Sequence, residues 1–244
     1  MPEIHLLLTA TIHVRSTALT ARVDPQQRLA DYAAALAFWL RVGGIERIVF
    51  CENSGADLAP LQRAAARLAP DRQVEWLGFT GAALDPARGK GLGEAQIIEH
   101  ALAKSKALSG DGYVLKATGR YTVPNIAHVL PRTSAVSGPD VICNLHENLA
   151  RADSRLFFAT PAFLARYLLP RCAEIDDSRS VFLEHVLARA VLRAVSEGLR
   201  WELPRQRPDI RGVSGTWGGR IGSPFGERQA RAAVFRLRRL LLQR

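Results

Sequence analysis

Apolar and polar residues alternate over the first eighty positions in blocks. Residues 4–14 are apolar and β-branched and predict a first central strand, ending among the small polar residues Thr9 and Thr11. Residues 24–42 place Leu29, Tyr32, Ala33, Leu36, Trp39 and Leu40 at helical spacing, and Gly43-Gly44 stops that helix. Residues 47–51 (RIVFC) predict a second strand, followed by the loop Glu52-Asn53-Ser54-Gly55. Residues 57–68 form a second amphipathic pattern closed by Pro70, and residues 73–79 (QVEWLGF) a third strand. Strand and helix alternating in units of about thirty residues is the signature of βαβ crossovers. The expected fold class is α/β, a mostly parallel central sheet flanked by helices.

A loop at 80–93 and a helix at 94–108 lead to a strand that opens with Tyr113, Val114 and Leu115, within GYVLKATGRYTVPN (112–125). Residues 140–145 and 155–160 read as strands of a hairpin-like addition to the sheet, and 161–169 as a short helix. Residues 179–197 predict a long helix, 199–203 a last strand, 205–226 a loop and 227–243 a terminal helix. The domain reading is one α/β unit over 1–222 and a basic amphipathic helix over 223–244.

Charge changes this picture in one place. Of the net charge of +10, +8 lies in residues 200–244, which hold eleven arginines against Glu202, Asp209 and Glu227. The basicity belongs to a tail, and aromatics are only 7% and not interleaved with it, so no nucleic-acid partner is expected. In the terminal helix Ala230, Ala233, Val234, Leu237, Leu240 and Leu241 recur at i, i+3, i+4, i+7 among arginines, a pattern that fits the inner-membrane surface through residues 226–243. Docking on the core through the same stripe is the other reading. Cys51, Cys143 and Cys172 lack the spacing of a zinc site or a disulfide framework. No signal-peptide pattern is read at the N-terminus, and a cytoplasmic protein, peripheral on the inner membrane through its tail, is expected.

Two basic segments carry the candidate chemistry. The strand at 113–115 ends in Lys116, Thr118, Gly119, Arg120 and Tyr121, where packing gives no reason for cations, and open α/β sheets bind ligands outside the carboxyl ends of their strands. Upstream, RGKGLGE (88–94) puts Arg88, Lys90 and three glycines before a helix N-terminus, a place that favours anions. The two are expected to face each other across a site for a phosphorylated ligand. Glu52, Asn53 and Ser54 stand where an acid or amide meets a nucleoside; alternatively the loop is a turn with a helix N-cap, for which Asn53, Ser54 and Asp57 are suited. Glu184, placed mid-helix, is a potential general base or an ion-pair partner of a neighbouring arginine. Asp153 and Arg155 form a charged pair at a strand start. Residues 214–219 (SGTWGG), beginning at Ser214, fit a lid or a plain connector.

At ENSG, RGKGLGE, KATGRY and GVSGTWG the chain resembles bacterial glycosyltransferases of polysaccharide and lipopolysaccharide biosynthesis, over roughly residues 4–222. The resemblance implies a GT-A-like (Rossmann-like) nucleotide-sugar-binding domain that moves a sugar from a nucleotide donor to a glycan or lipid-linked acceptor. It places Thr9, Thr11 and Glu52 near the nucleoside. Such enzymes commonly hold a divalent metal on a DxD motif, and here the matching strand end reads KATGR. No cofactor is therefore expected. Arg88, Lys90, Lys116 and Arg120 are expected to neutralise the leaving phosphate, and Glu184 or Asp153 to deprotonate the acceptor. The alternatives are a sugar nucleotidyltransferase, which normally has a glycine-rich loop after the first strand, and a non-enzymatic nucleic-acid-binding protein using the tail.

Overall fold

The computed structural model describes residues 2–14, 20–81, 88–222 and 225–242. Parts of the 80–93 loop, of the segment after the first strand and of the boundary between the two expected units therefore lie outside the described residues.

Strand β1 (Ile4–Ala10) is buried along its whole length. It pairs in parallel with β2 (Arg47–Glu52) and β4 (Tyr113–Thr118), and β3 (Val74–Gly78) extends the sheet beyond β2. Helices α1 (Pro25–Trp39), α2 (Ala59–Leu68) and α3 (Gly89–Lys104) are the crossovers. Side chains alternate across the strands. Leu6, Leu8, Phe50, Leu115 and Ala117 pack with α1 and α2, while Leu7, Val49 and Val114 pack on the opposite face with α3. Burial on both faces is why these strands read as continuous apolar runs.

After the four-residue helix α4 (Ile126–Val129), the sheet grows in a mixed manner. Between β5 (Val141–Ile142) and β8 (Leu156–Ala159) lies a small antiparallel pair, β6 (Leu145–His146) with β7 (Arg151–Ala152). β8 inserts antiparallel between β4 and β5, and β9 (Trp201–Glu202) runs parallel to β5. The strand order is β3-β2-β1-β4-β8-β5-β9. The expected mostly parallel α/β sheet and its hairpin-like addition are both present.

Several boundaries differ for physical reasons. α3 starts at Gly89 rather than near Glu94, so RGKGLGE is the N-cap and opening two turns of a helix rather than a loop before one. The helix expected over 161–169 changes pitch, from α5 (Pro161–Phe163) through a π turn (Leu164–Leu168) to a 3₁₀ turn (Leu169–Glu174). α6 (Leu183–Ser196) starts late because a 3₁₀ turn at Asp177–Arg179 and a left-handed Ser180 close a bridge from Asp176 to Val181. This puts Glu184 in the first turn instead of mid-helix. The 205–226 loop contains a short hairpin, β10 (Gly212–Val213) with β11 (Arg220–Ile221). The terminal helix α7 (Phe225–Leu242) meets the body by burying Phe235, with Arg238 Nη1 donating to Asn144 Oδ1 at 3.2 Å and Arg239 3.9 Å from Glu202. No helix among the described residues is long and apolar enough to cross a membrane.

Candidate functional site

The carboxyl ends of β1, β2 and β4 open into a cavity of about 870 Å³, closed on other sides by the first turns of α3 and α6 and by the 207–222 segment. Eleven residues singled out from the sequence line it: Thr9, Thr11, Asn53, Ser54, Lys90, Thr118, Arg120, Tyr121, Arg155, Glu184 and Ser214. Glu52, Arg88, Lys116 and Asp153 lie outside its lining, and each has a different occupation.

Glu52 is fully buried and serves as a clamp. Its carboxylate accepts from the backbone N–H groups of Ile12 (2.8 Å), Ser54 (2.9 Å) and Ala56 (3.2 Å) and from the Ser54 hydroxyl, tying the loops after β1 and β2 together. No acceptor site is left facing a nucleoside. Next to it, Thr11 Oγ1 donates to Asn53 Oδ1 (2.6 Å) and Asn53 Nδ2 to the Gly93 carbonyl (3.2 Å), which fixes the amide at the cavity wall.

The two basic segments each divide. In the first, Arg88 turns away and donates to the carbonyls of Ala173 (2.6 Å) and Ile175 (2.9 Å), while Lys90 reaches across the cavity to the Thr216 hydroxyl. In the second, Lys116 is buried. Its ammonium donates to Glu94 Oε1 (2.6 Å), the Ser154 carbonyl (2.6 Å) and Thr118 Oγ1 (3.3 Å). Arg120 instead enters the cavity wall, its Nη1 on the Val213 carbonyl (3.0 Å). A Cβ on Gly215 would approach Arg120 Nη2 to 2.6 Å, so glycine there lets the guanidinium lie flat under the loop. Lys90 and Arg120 thus hold the 213–216 segment over the cavity.

The carboxylates are equally distinct. Burial acts to raise the Glu94 carboxyl, but the Lys116 charge and hydrogen bonds from Lys116, Thr9 (2.8 Å) and Thr118 (3.2 Å) outweigh it and hold it below its ordinary range. Asp153 is gripped by both arms of Arg155, each at 2.8 Å, which lowers it against the effect of burial. That bidentate grip, outside the lining, leaves Asp153 poorly placed to take a proton. Glu184 accepts from the Ser154 hydroxyl (2.7 Å) and faces the cavity.

Asp177, Arg28, Gln96 and Arg207 line the cavity without having been singled out from the sequence. Asp177 sits on the start of α3, where Oδ2 accepts from the Lys90 backbone N–H (3.2 Å). Gly89, at φ 77°, leaves it room, since a Cβ there would run into the carboxylate. The anion-favouring helix end expected from RGKGLGE is thus filled from within the chain. Burial pushes the Asp177 carboxyl above its ordinary value, and Lys90 only partly offsets this. Among the described residues four buried side-chain atoms lack a hydrogen-bond partner. Three of them, Gln96 Oε1, Arg120 Nε and Asp177 Oδ1, belong to residues lining this one cavity. Buried polar atoms are rarely left unsatisfied, and their concentration in these residues sets the wall of this cavity apart from the rest of the described residues. The described residues contain no group of three or more His, Cys, Asp or Glu placed to hold a metal ion. At the end of β4 the carboxylate at hand is Glu94, already engaged by Lys116, so this strand end does not fit a DxD-type metal site.

No protein-family model matches the chain, and no curated protein matches it. Among solved structures it is similar to a 4-diphosphocytidyl-2C-methyl-D-erythritol synthase, at 12% identity and a TM-score of 0.45 over 97% of this chain and 98% of that one. It is also similar to a cytidylyltransferase from Leptospira borgpetersenii, at 10% identity and a TM-score of 0.44 over 91% and 82%. A nucleoside-diphosphate-sugar pyrophosphorylase from Vibrio cholerae gives 11% and 0.44 over 82% and 91%. With TM-scores this low, none of them assigns a residue or a reaction to this chain.

Proposed function

We propose that the protein is a transferase whose cavity binds a nucleotide-activated sugar, as the donor it consumes or the product it makes. The observation that carries this reading is the cavity itself. It lies at the carboxyl edge of parallel strands, its volume suits a ligand of that size, and Lys90 and Arg120 stand on its wall. Thr9, Thr11, Asn53, Ser54 and Gln96 form the wall for the nucleoside, and Lys90 and Arg120 the cationic wall for its phosphates.

In glycosyl transfer these two cations neutralise the leaving nucleoside phosphate in place of a carboxylate-held metal. Asp177, with one unpartnered oxygen, takes the acceptor hydroxyl's proton, and Glu184 positions that hydroxyl. The acceptor is a glycan or a lipid-linked sugar. This reaction is favoured by the absence of any glycine in residues 11–23, which leaves the segment after β1 without a phosphate-cradling glycine loop. The second reading is nucleotidyl transfer onto a sugar phosphate, the class named in the cytidylyltransferase and pyrophosphorylase structures above. Its supporting observation is a cation surplus: seven cations, among them Arg28, Lys90, Arg120, Arg207 and Arg220, line the cavity against five carboxylates, and suit a triphosphate.

The test begins with thermal stabilisation of the purified protein by UDP, GDP, CMP and TDP compounds. A ligand at a hundred times its Kd should add about 2.7 kcal/mol. Glycosyl transfer then releases a nucleoside phosphate from a nucleotide sugar, whereas nucleotidyl transfer releases pyrophosphate from a nucleoside triphosphate. Arg120→Ala should cost on the order of a hundredfold in turnover. Stabilisation by none of these ligands refutes the reading. Activity lost in EDTA and restored by Mn²⁺ or Mg²⁺ refutes its metal-independent form.

A further inference from the structure

The apolar stripe of α7 faces solvent. Val234, Leu237, Leu240 and Leu241 share one side of the helix and are between 59% and 68% exposed. The helix touches the body with its other side, through Phe235, Arg238 and Arg239. This reverses the usual arrangement of a surface helix, whose apolar stripe faces the core. The 18 residues make a rod about 27 Å long with a row of leucines on the outside.

Charge decides what covers that row. Arg236 lies four residues before Leu240 on one flank, and Arg238 lies four residues after Val234 on the other. The sole acid of the helix, Glu227, is paired with Arg231. Two copies packed stripe to stripe would set basic flank against basic flank, with Arg236 exposed on each copy, a like-charge contact that disfavours association. A bilayer with anionic headgroups answers both features at once: acyl chains for the leucines and phosphates for the arginines.

We propose that α7 lies in the surface of an anionic phospholipid bilayer, with Val234, Leu237, Leu240 and Leu241 at the headgroup–acyl boundary. Arg231, in the N-terminal half of α7, also lines the cavity, as does Trp217, which is 64% exposed. The membrane contact stands without the proposed activity.

Flotation of the full-length protein with vesicles tests the contact. Vesicles of phosphatidylcholine mixed with phosphatidylglycerol should bind it at least about tenfold better than phosphatidylcholine alone. The double variant Leu237→Glu with Leu241→Glu should lose binding by on the order of a hundredfold. Arg236→Ala should weaken it about fivefold. Because these side chains face water, the variants should keep the wild-type melting temperature and any nucleotide-induced shift, which separates this proposal from the function of the cavity. If the double variant does not fold, Arg236→Ala decides alone, and unchanged binding there overturns the proposal. So does equal binding to neutral vesicles, no binding to either vesicle, or a dimer in sedimentation equilibrium that the leucine changes split.

Discussion

Glu94, on α3, and Asp177, in the 3₁₀ turn packed on the start of that helix, border the same cavity, and their surroundings push them in opposite directions. Glu94 is engaged by Lys116, Thr9 and Thr118 and held below its ordinary range. Asp177 has one oxygen on the Lys90 N–H and the other unpartnered, and burial raises it. Carboxylates driven apart in this way mark a division of labour: the satisfied one organises the site, and the unsatisfied one is the better proton acceptor. The contrast extends to the cations. Lys116 and Arg88 lie outside the cavity lining, with their hydrogen bonds on Ser154 and Ala173, while Lys90 and Arg120 line the cavity and bond the 213–216 segment that covers it.

The largest expected effect comes from turning Glu94 into a carboxylate like Asp177. Lys116→Met removes its charge partner and leaves the acid without its main compensation, at a cost of about 3 kcal/mol. Urea denaturation should show a lower midpoint at unchanged slope. Adding Glu94→Leu to this variant should recover most of the loss, since removing both partners of such a pair is far less damaging than removing one. No recovery would mean that Lys116 acts through packing.

Asp177→Asn comes next and tests the other carboxylate. In glycosyl transfer the variant should lose about a hundredfold in turnover and the acidic limb of the pH–rate profile with it. Unchanged turnover with an intact acidic limb would move the proton-accepting role to Glu184. A smaller effect separates the two acids in stability. The folded form holds Glu94 low, so its contribution is full above the ordinary glutamate range and fades as pH falls through the lowered value. Asp177 is raised, so its ionisation opposes folding increasingly as pH rises from the ordinary aspartate range through the raised value. Stability relative to wild type should therefore drop for Glu94→Gln and rise for Asp177→Asn as pH increases across that window, each within about 1 kcal/mol. Curves that move together would erase the contrast.

How much of this was legible in the sequence differs between the two acids. The parallel half could be read because β1, β2 and β4 are buried on both faces and appear as unbroken apolar runs. Parity along β4 even points Lys116 away from Tyr113, Leu115 and Ala117, toward the side that α3 covers. A lysine there needs a buried partner, and Glu94 is on that helix. Asp177 carried no such signal. Its local pattern reads as a turn, and its role depends on Gly89, nearly ninety residues earlier, leaving room for it. Gln96 and Arg28 were hidden for the same reason: each lies inside a helix whose spacing reveals its core face and not which residues meet a cavity at one end.

The smallest effect sharpens the split within RGKGLGE. Arg88 sits two residues from Lys90 yet donates to the carbonyls of Ala173 and Ile175, which precede the turn that carries Asp177. Arg88→Ala should cost about 1 kcal/mol of stability through those lost hydrogen bonds. Its ligand affinity should change little, because the guanidinium is directed at the backbone outside the cavity lining. Lys90→Ala should do the reverse, with little change in urea midpoint and weaker nucleotide-induced stabilisation. If Arg88→Ala instead abolishes that stabilisation, the 173–177 turn is held in place by Arg88 alone. The segment then acts as one unit, rather than as one structural cation beside one binding cation.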